Sequence, residues 1–250
     1  MRNTAGGCRP TAEPHGGSLR AQDTVKPTDV VAAFRGTELK LRDLLTDLQG
    51  SLVPCTGGSG RVHQGFQSAL NSVYPQILKT ISQIGIVGTS RLYVCGHSLG
   101  GALSMLFAGR YVRERTLHGQ DQPPLAEVFT YGAPRVGDAD FASAYRQSPA
   151  GSVTFCWVDN RDPVTRVAPA SLHYRHAVQR QLCVDNAGWV RRTDIDDSMV
   201  AESAEQTILQ QVMDLLQHAN IALSLEASRH KLEQSYLQQL LIAVRKSRGQ

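Results

Sequence analysis

The chain has 250 residues, of which 41% are hydrophobic, and this is enough for one sizeable α/β domain with a buried core. Its 26 basic and 22 acidic side chains give a formal net charge of +4, and the basic residues are scattered along the chain. Without a basic stripe or an aromatic stacking platform, a nucleic-acid-binding role is not expected. No apolar run reaches the ~18–20 residues of a transmembrane helix.

The first 29 residues are rich in Gly, Pro, Thr and Ser and show no hydrophobic periodicity. They predict a flexible lead-in to a single domain over residues 30–250. No apolar core of a signal peptide is readable in this segment. Since the five cysteines are odd in number and irregularly spaced, we interpret them as free thiols. Both features favour the cytoplasm over secretion, although neither decides the location.

Strands and helices then alternate along the first half of the chain. The continuous apolar run Val30–Phe34 (VVAAF) predicts a strand buried on both faces. A short amphipathic helix is expected within Thr37–Leu48, and VPCTGGSG predicts a loop. Apolar residues at three- and four-residue steps predict a long helix from His63 to Ile84. A strand at Leu92–Cys95 and a helix at Ala102–Val112 follow.

The second half continues the alternation and then becomes helical. We expect strands at Val128–Tyr131 and Val153–Val158, separated by the turn and helix of GAPRVGDADFASAY. Ala201–Leu216 and Ser228–Val244 have helical patterns. The last of these carries one apolar stripe, which predicts packing against the sheet: Leu232, Tyr236, Leu237, Leu240, Leu241 and Val244. The whole order predicts an α/β fold with a mostly parallel central sheet flanked by helices.

The segment GHSLG, residues 96–100, has the G-x-S-x-G pattern between a predicted strand and a predicted helix. In that setting Ser98 lies at a sharp turn with an unfavourable backbone conformation, and side chains two positions to either side would collide. The amide of Leu99 and the helix N-terminus then favour negative charge beside the serine. The pattern predicts a nucleophile.

A serine nucleophile needs a base, and the base needs an orienting acid. On an α/β fold with this turn the acid follows the serine in sequence and the histidine comes last. Asp162, beside Pro163 at the turn after a predicted strand, is the preferred acid, with Asp159 as its competitor. The later histidines are His173, His176, His218 and His230.

Two of these histidines form an H-x-x-H pair, which is also a metal-ligand spacing. His173 and His176 have no third ligand nearby, so we expect no metal site. His218 ends a helical stripe. His230 opens the last helix, where the preceding loop can carry its imidazole to the serine, and it is the preferred base.

Six ordered blocks of the sequence resemble the class 3 lipases, a family of α/β-hydrolases that includes the fungal triacylglycerol lipases. The blocks are VVAAFRGTELKLRDLLTDL, VHQGFQSAL, LYVCGHSLGGALSMLFA, VFTYGAPRVGDADFASAY, DNRDPVTRVAP and LHYRHAV. They cover about residues 30–178. The resemblance departs in a shorter N-terminal region and in VAP instead of LPP after the acid.

The resemblance implies an α/β-hydrolase fold and a role for each site residue. Ser98 would be the nucleophile, Asp162 the acid and His230 the base, in a motif one residue longer than the family's H-x-x-x-x-Y; His176 would not be the base. Thr37 of FRGT would join Leu99 as the second oxyanion donor. The family places a mobile lid at Glu38–Leu48, where a core helix has the same pattern.

These residues predict an esterase or lipase that cleaves carboxylic esters of lipids through an acyl-enzyme on Ser98, with no cofactor or metal. Its expected partner is a lipid or other ester, at a lipid–water interface where the substrate is insoluble. Two alternatives stay open: a lipase-like interaction scaffold without catalysis, and transfer of the acyl group to an acceptor other than water. The sequence does not distinguish triacylglycerol, monoacylglycerol, phospholipid and aryl esters.

Overall fold

The computed structural model describes residues 28–36, 51–85, 88–118, 122–159, 162–166, 168, 172–178, 180–184 and 190–194. Its elements are, in chain order, β1 (Val30–Phe34), β2 (Leu52–Pro54), β3 (Arg61–His63), α1 (Gln64–Ile84), β4 (Leu92–His97), α2 (Leu99–His118), β5 (Leu125–Tyr131), α3 (Ala139–Gln147), α4 (Pro149–Ser152), β6 (Thr154–Asp159), a 3₁₀ turn (Pro163–Arg166), β7 (Arg180–Val184) and β8 (Val190–Asp194).

Six of the strands form one sheet in the order β1-β4-β5-β6-β7-β8. The first five of these are parallel, and β8 pairs antiparallel with β7. Consequently the carboxyl ends of β1, β4, β5, β6 and β7 meet at one edge of the sheet. The two short strands β2 and β3 form a separate antiparallel hairpin.

Helix α1 confirms the long amphipathic helix predicted from His63 to Ile84. His63 caps its N-terminus, since its Nδ1 accepts from the Phe66 amide at 3.4 Å, and the buried side chains follow at helical spacing: Phe66, Leu70, Tyr74 and Ile81. Gly85 ends the helix in an extended conformation and donates to the Ile81 carbonyl at 2.8 Å.

The core lies between helices α1 and α2 and one face of the sheet. Strand residues Val30, Leu92, Val94 and Val128 on this face are at most 5% exposed. Phe107 of α2 is fully buried among aromatic rings of β1 and of both helices: Phe34, Tyr74 and Tyr111. The core therefore fixes α2 against the strands that flank Ser98.

The opposite face is less covered, which corrects the prediction that β1 is buried on both faces. Val30 is buried, but Val31 is 55% exposed and Ala33 is also exposed. A continuous apolar run predicts a strand of a parallel sheet, but it does not indicate which elements cover each face of that strand.

The remaining differences concern strands too short or too polar for a sequence pattern. Residues Val53 and Pro54 of the predicted loop VPCTGGSG belong to β2. Strands β3, β7 and β8 were not predicted, because three residues show no periodicity and the sequences RQLCV and VRRTD are interrupted by polar residues. Elsewhere β4, α2 and β5 extend beyond their predicted bounds.

Several predictions fall outside the described residues. These are the lead-in before residue 28, the helix within Thr37–Leu48, and the helices Ala201–Leu216 and Ser228–Val244. The single domain over residues 30–250 stays a prediction. Among the helices that the structure describes, none combines the length and the apolar character needed to cross a bilayer.

Candidate active site

The candidate nucleophile is the single residue between a strand and a helix. Strand β4 ends at His97 and α2 begins at Leu99, so Ser98 makes the whole turn. Its φ of 56° lies in the left-handed region, which is unfavourable for a residue with a side chain. The turn is held by two hydrogen bonds of 2.9 Å: the Ser98 amide donates to the Tyr131 carbonyl, and its carbonyl accepts from the Gly101 amide.

Three glycines let three backbone segments meet at this turn. A Cβ on Gly96 would overlap the Gly100 carbonyl, and a Cβ on Gly100 would overlap the Phe34 carbonyl at the end of β1. A Cβ on Gly36 would lie 2.7 Å from the His97 carbonyl oxygen. The end of β1, the end of β4 and the start of α2 are therefore packed at backbone contact.

The environment of Ser98 suits a group that acts on a substrate. The residue is 2% exposed, and its Oγ is shielded from solvent without a hydrogen-bond partner among the described residues. Buried hydroxyls are normally hydrogen-bonded, so this atom lacks the usual structural explanation. Leu99 is the first residue of α2, and its amide has no carbonyl acceptor within that helix. The helix N-terminus thus presents a donor beside the hydroxyl.

The candidate acid is fixed in a tight turn after β6. Asp162 is 1% exposed, and its Oδ1 accepts from the Val164 amide at 2.9 Å. Its backbone amide donates to the Asp159 carbonyl, and its carbonyl accepts from the Thr165 hydroxyl, both at 2.9 Å. Asp159, equally buried, thus supports the turn through its main chain.

Both residues lie at the carboxyl edge of the sheet. Ser98 follows β4 and Asp162 follows β6, with β5 between these strands. Two strand spacings correspond to about 10 Å. The fold therefore places the predicted nucleophile and acid at the same edge of the sheet, two strands apart, where a bridging histidine would have to reach both.

His176 is not that histidine in this structure. It is buried, its imidazole makes no hydrogen bond to the Ser98 Oγ, and its main-chain carbonyl accepts from Arg146 at 2.9 Å. Burial, and to a lesser extent the Arg135 guanidinium, hold the pKa of His176 well below its ordinary range. This imidazole is kept neutral. His173 of the same H-x-x-H pair is exposed.

Arg135 is a residue that the sequence reasoning missed. Although charged, it is only 3% exposed, and its Nη1 donates to the Ala168 carbonyl at 3.1 Å. It therefore ties the segment after the acid turn to the loop between β5 and α3. A single arginine in a turn rich in Gly and Pro predicts an exposed side chain. The only signal that could have singled out this segment is that it lies in the resemblance block VFTYGAPRVGDADFASAY.

The other predicted site residues lie outside the described residues: Thr37, the lid candidate Glu38–Leu48, His218 and His230. The described chain stops at Gly36, beside the His97 carbonyl, immediately before Thr37. A cavity of about 210 Å³ is also not part of the Ser98 site. It lies along the later turns of α2, where Leu106, Arg110 and Arg113 are among its lining residues.

Comparison with known proteins identifies the same region. A family model described as lipase (class 3) matches residues 31–172. A secreted mono- and diacylglycerol lipase of Fusarium solani is 32% identical over 163 residues, covering 64% of this chain and 45% of the relative. A lipase of Rhizomucor miehei is 30% identical over 168 residues, covering 63% of this chain and 42% of the relative. The chain thus spans less than half the length of these relatives.

Comparison of the fold with solved structures also identifies lipases. A solved structure of the native Rhizomucor miehei lipase propeptide complex superimposes with a TM-score of 0.55 and 25% identity, covering 68% of this chain and 53% of that one. The mostly parallel sheet flanked by helices is therefore an α/β-hydrolase fold.

The contact between Gly100 and β1 predicts a sharp effect of one methyl group. Gly100→Ala should lower the free energy of unfolding by about 2 kcal/mol or more, because the Phe34 carbonyl must move. Gly109→Ala in the same helix is the matched control, since its Cβ would meet only the Tyr145 ring at 3.3 Å. Urea titrations of both variants measure the difference; equal stabilities would contradict the packing described.

The lowered pKa of His176 predicts acid-sensitive stability. Protonation favours the unfolded chain, so the stability present above the unfolded pKa of about 6.5 is lost as the pH falls below it. Between pH 7.5 and 5.5, His176→Gln should reduce the loss in unfolding free energy by about 1 kcal/mol. The exposed His173→Gln is the control. An unchanged pH profile in His176→Gln would exclude this account.

Proposed function

Because the chain belongs to the class 3 lipase family, we propose that it is a serine hydrolase that cleaves carboxylic esters of lipids through an acyl-enzyme on Ser98. The observation that carries the proposal is the strained, solvent-shielded hydroxyl of Ser98 beside the first amide of α2. A turn of this kind is costly and contributes no hydrogen bond from the Oγ to another described residue.

In the proposed mechanism His230 takes the proton from the Ser98 Oγ as the oxygen attacks the ester carbonyl. The amides of Leu99 and Thr37 donate to the oxyanion, each worth ~3–4 kcal/mol in the transition state. His230 then protonates the departing alcohol. A water molecule attacks the acyl-enzyme by the same route and releases the acid and the free serine.

Asp162 would orient His230 and stabilise its imidazolium form. The Val164 amide donates to its Oδ1 and restrains the carboxylate in the turn, which would favour one orientation of the imidazole. Asp159, the last residue of β6, stays the competitor for this role, and its main-chain carbonyl supports the Asp162 turn.

The two alternative functions have less support. A scaffold without catalysis has no need of the left-handed Ser98 or of a shielded Oγ. Acyl transfer shares the first half of the mechanism and differs only in the acceptor, so product analysis with competing alcohols separates it from hydrolysis. The named activities of the relatives, lipase and mono- and diacylglycerol lipase, support acylglycerols as the substrate class.

The triad assignment predicts a pattern across matched variants. Ser98→Ala should abolish hydrolysis of p-nitrophenyl butyrate and labelling by a fluorophosphonate probe, and His230→Ala should do the same to hydrolysis. Asp162→Asn should lower kcat by about 10⁴-fold, because the imidazole loses its orienting carboxylate. The controls are His218→Ala and Asp159→Asn, each the sequence competitor, which should keep most of the activity.

The activities of these variants assign the base, the acid and the nucleophile separately. Loss of activity in His218→Ala but not in His230→Ala would move the base to His218. The same exchange between the two aspartates would move the acid to Asp159. A folded wild-type protein that takes up no probe would exclude the serine hydrolase altogether. Circular dichroism of each variant verifies that lost activity is not lost folding.

The shielding of Ser98 predicts how the rate depends on the physical state of the substrate. If a covering segment must move to admit an ester, the rate should rise steeply when a short-chain acylglycerol exceeds its solubility and forms an interface. Rates on dissolved and emulsified tributyrin measure this. Smooth saturation through the solubility limit would instead indicate a soluble esterase with an open pocket.

A further inference from the structure

The cavity of about 210 Å³ is bounded by elements that meet along the later turns of α2. Its walls come from α2, from α3 and the start of α4, and from the loop between β2 and β3. Gly57 lets this loop approach α2, because its φ is 74° and a Cβ there would lie 2.8 Å from the Cγ of Arg110. Leu106, the first lining residue of α2, lies about 12 Å along the helix axis from Ser98. The cavity is therefore distinct from the Ser98 site.

The inner wall of the cavity is apolar. Leu106, Phe141 and Tyr145 line it, and each is at most 8% exposed. The Tyr145 hydroxyl is already hydrogen-bonded to Thr154 Oγ1 at 2.8 Å. The hydroxyl of Thr116, an exposed lining residue, donates to the carbonyl of Val112 at 2.9 Å. A molecule that enters the inner part must therefore bury apolar atoms there.

The outer end of the cavity carries two arginines of α2, of which one is fixed and one is available. The Nε of Arg110 donates to Glu114 at 2.7 Å, and its Nη1 donates to Asn71 at 3.1 Å. Its guanidinium also lies 3.7 Å from the centroid of the Tyr74 ring. Arg113 is exposed and makes no hydrogen bond or ion pair with another residue that the structure describes. Since Glu114 balances Arg110, Arg113 makes this end of the cavity positive.

The thiol of Cys55 lies on the cavity wall within the field of these charges. Burial raises the pKa of Cys55 to about 11, with a contribution from the Asp138 carboxylate, whereas Arg110 and Arg113 lower it. Asp138 itself lies outside the lining, and its Oδ1 caps α3 by accepting from the Phe141 amide at 2.9 Å. The two guanidinium groups thus favour negative charge at this wall.

The volume limits a ligand to one short chain. A dry apolar cavity of about 150 Å³ holds one benzene molecule, and the same ratio gives about eight carbon atoms for 210 Å³. Clefts that bind drug-sized ligands measure about 300–1,000 Å³, so a whole acylglycerol with its chains exceeds this cavity.

We propose that this cavity binds an aliphatic monocarboxylate of about eight carbons, with its chain against Leu106, Phe141 and Tyr145 and its carboxylate at Arg113. The buried apolar wall and the cationic outer end match the two ends of such a molecule. An alcohol of the same length lacks the charge, and an amine has the wrong one. Such an acid is also the kind of product that the proposed ester hydrolysis releases, but the binding rests on the cavity and not on that function.

Cys55 reports on occupancy without an added label, because it lines the cavity. In the wild-type chain, octanoate at about four times its Kd and below its micelle concentration should slow alkylation of Cys55 by iodoacetamide about fivefold. Octanol and octylamine at the same concentration should slow it less than about twofold, because they lose the charged hydrogen bond. Cys95, in β4 and outside the cavity, is the internal control and should react at an unchanged rate. Mass spectrometry of each cysteine peptide measures the rates.

Two matched pairs of variants locate the two ends of the ligand. Arg113→Glu should abolish the protection by octanoate, measured as the ratio of Cys55 rates with and without it in the same variant. Lys79→Glu, an equal change of charge at an exposed position of α1, should keep the protection.

The second pair tests the apolar end. Ala144→Leu fills the cavity from α3 and should remove one equivalent of bound radiolabelled octanoate in equilibrium dialysis. Ser143→Leu, at a neighbouring position outside the lining, should keep that equivalent. Circular dichroism verifies that each variant is folded.

The outcomes decide the proposal. Protection that is selective for octanoate and requires Arg113 supports it. Equal protection by octanoate, octanol and octylamine would indicate a cavity without an anion site, and no protection by any of them would indicate no ligand of this class; either result overturns the proposal.

The same measurement separates this site from the proposed function. Ser98→Ala should keep the protection of Cys55, because the cavity does not include the serine. A wild-type chain that protects Cys55 but takes up no fluorophosphonate would support the cavity site and exclude the hydrolase. A labelled chain in which octanoate leaves Cys55 unprotected would support the hydrolase and overturn the cavity site.

Discussion

The structure depends on a contact between backbones at the end of β1, the end of β4 and the start of α2. This contact is possible only because Gly96 and Gly100 have no Cβ, and it forces Ser98 into the left-handed region. The core provides the energy that tolerates this strain, since buried α2 residues such as Phe107 fix the helix against the sheet. Strain at the serine and packing in the core are therefore two parts of one arrangement.

The sequence predicts this centre well because its signals are local. G-x-S-x-G between a strand and a helix describes a turn whose geometry follows from sterics, and serine before aspartate is the chain order of the hydrolase fold that carries this turn. The sheet edge that brings Ser98 and Asp162 together could be inferred from the alternation of strands and helices. The structure adds the turn at Asp162 and the hydrogen bonds that fix it.

The features that the sequence does not predict depend on contacts between residues that are distant in the chain. The exposure of Val31 depends on which face of the sheet the crossover helices cover. An apolar pentapeptide such as VVAAF has the same pattern whichever face that is. Arg135 is buried because the carbonyl of Ala168, distant in the chain, lies within reach. These features belong to the tertiary arrangement, and no short pattern encodes them.

The two candidate residues that the structure describes are held in different ways. Ser98 is the single residue between β4 and α2, so the strand and the helix fix its backbone from both sides. Asp162 lies three residues beyond the end of β6, and the hydrogen bonds of its own turn fix it. If His230 is the base, as we propose, it approaches both from a part of the chain beyond the last described strand. The position of the base would then depend on contacts other than those that hold the nucleophile and the acid.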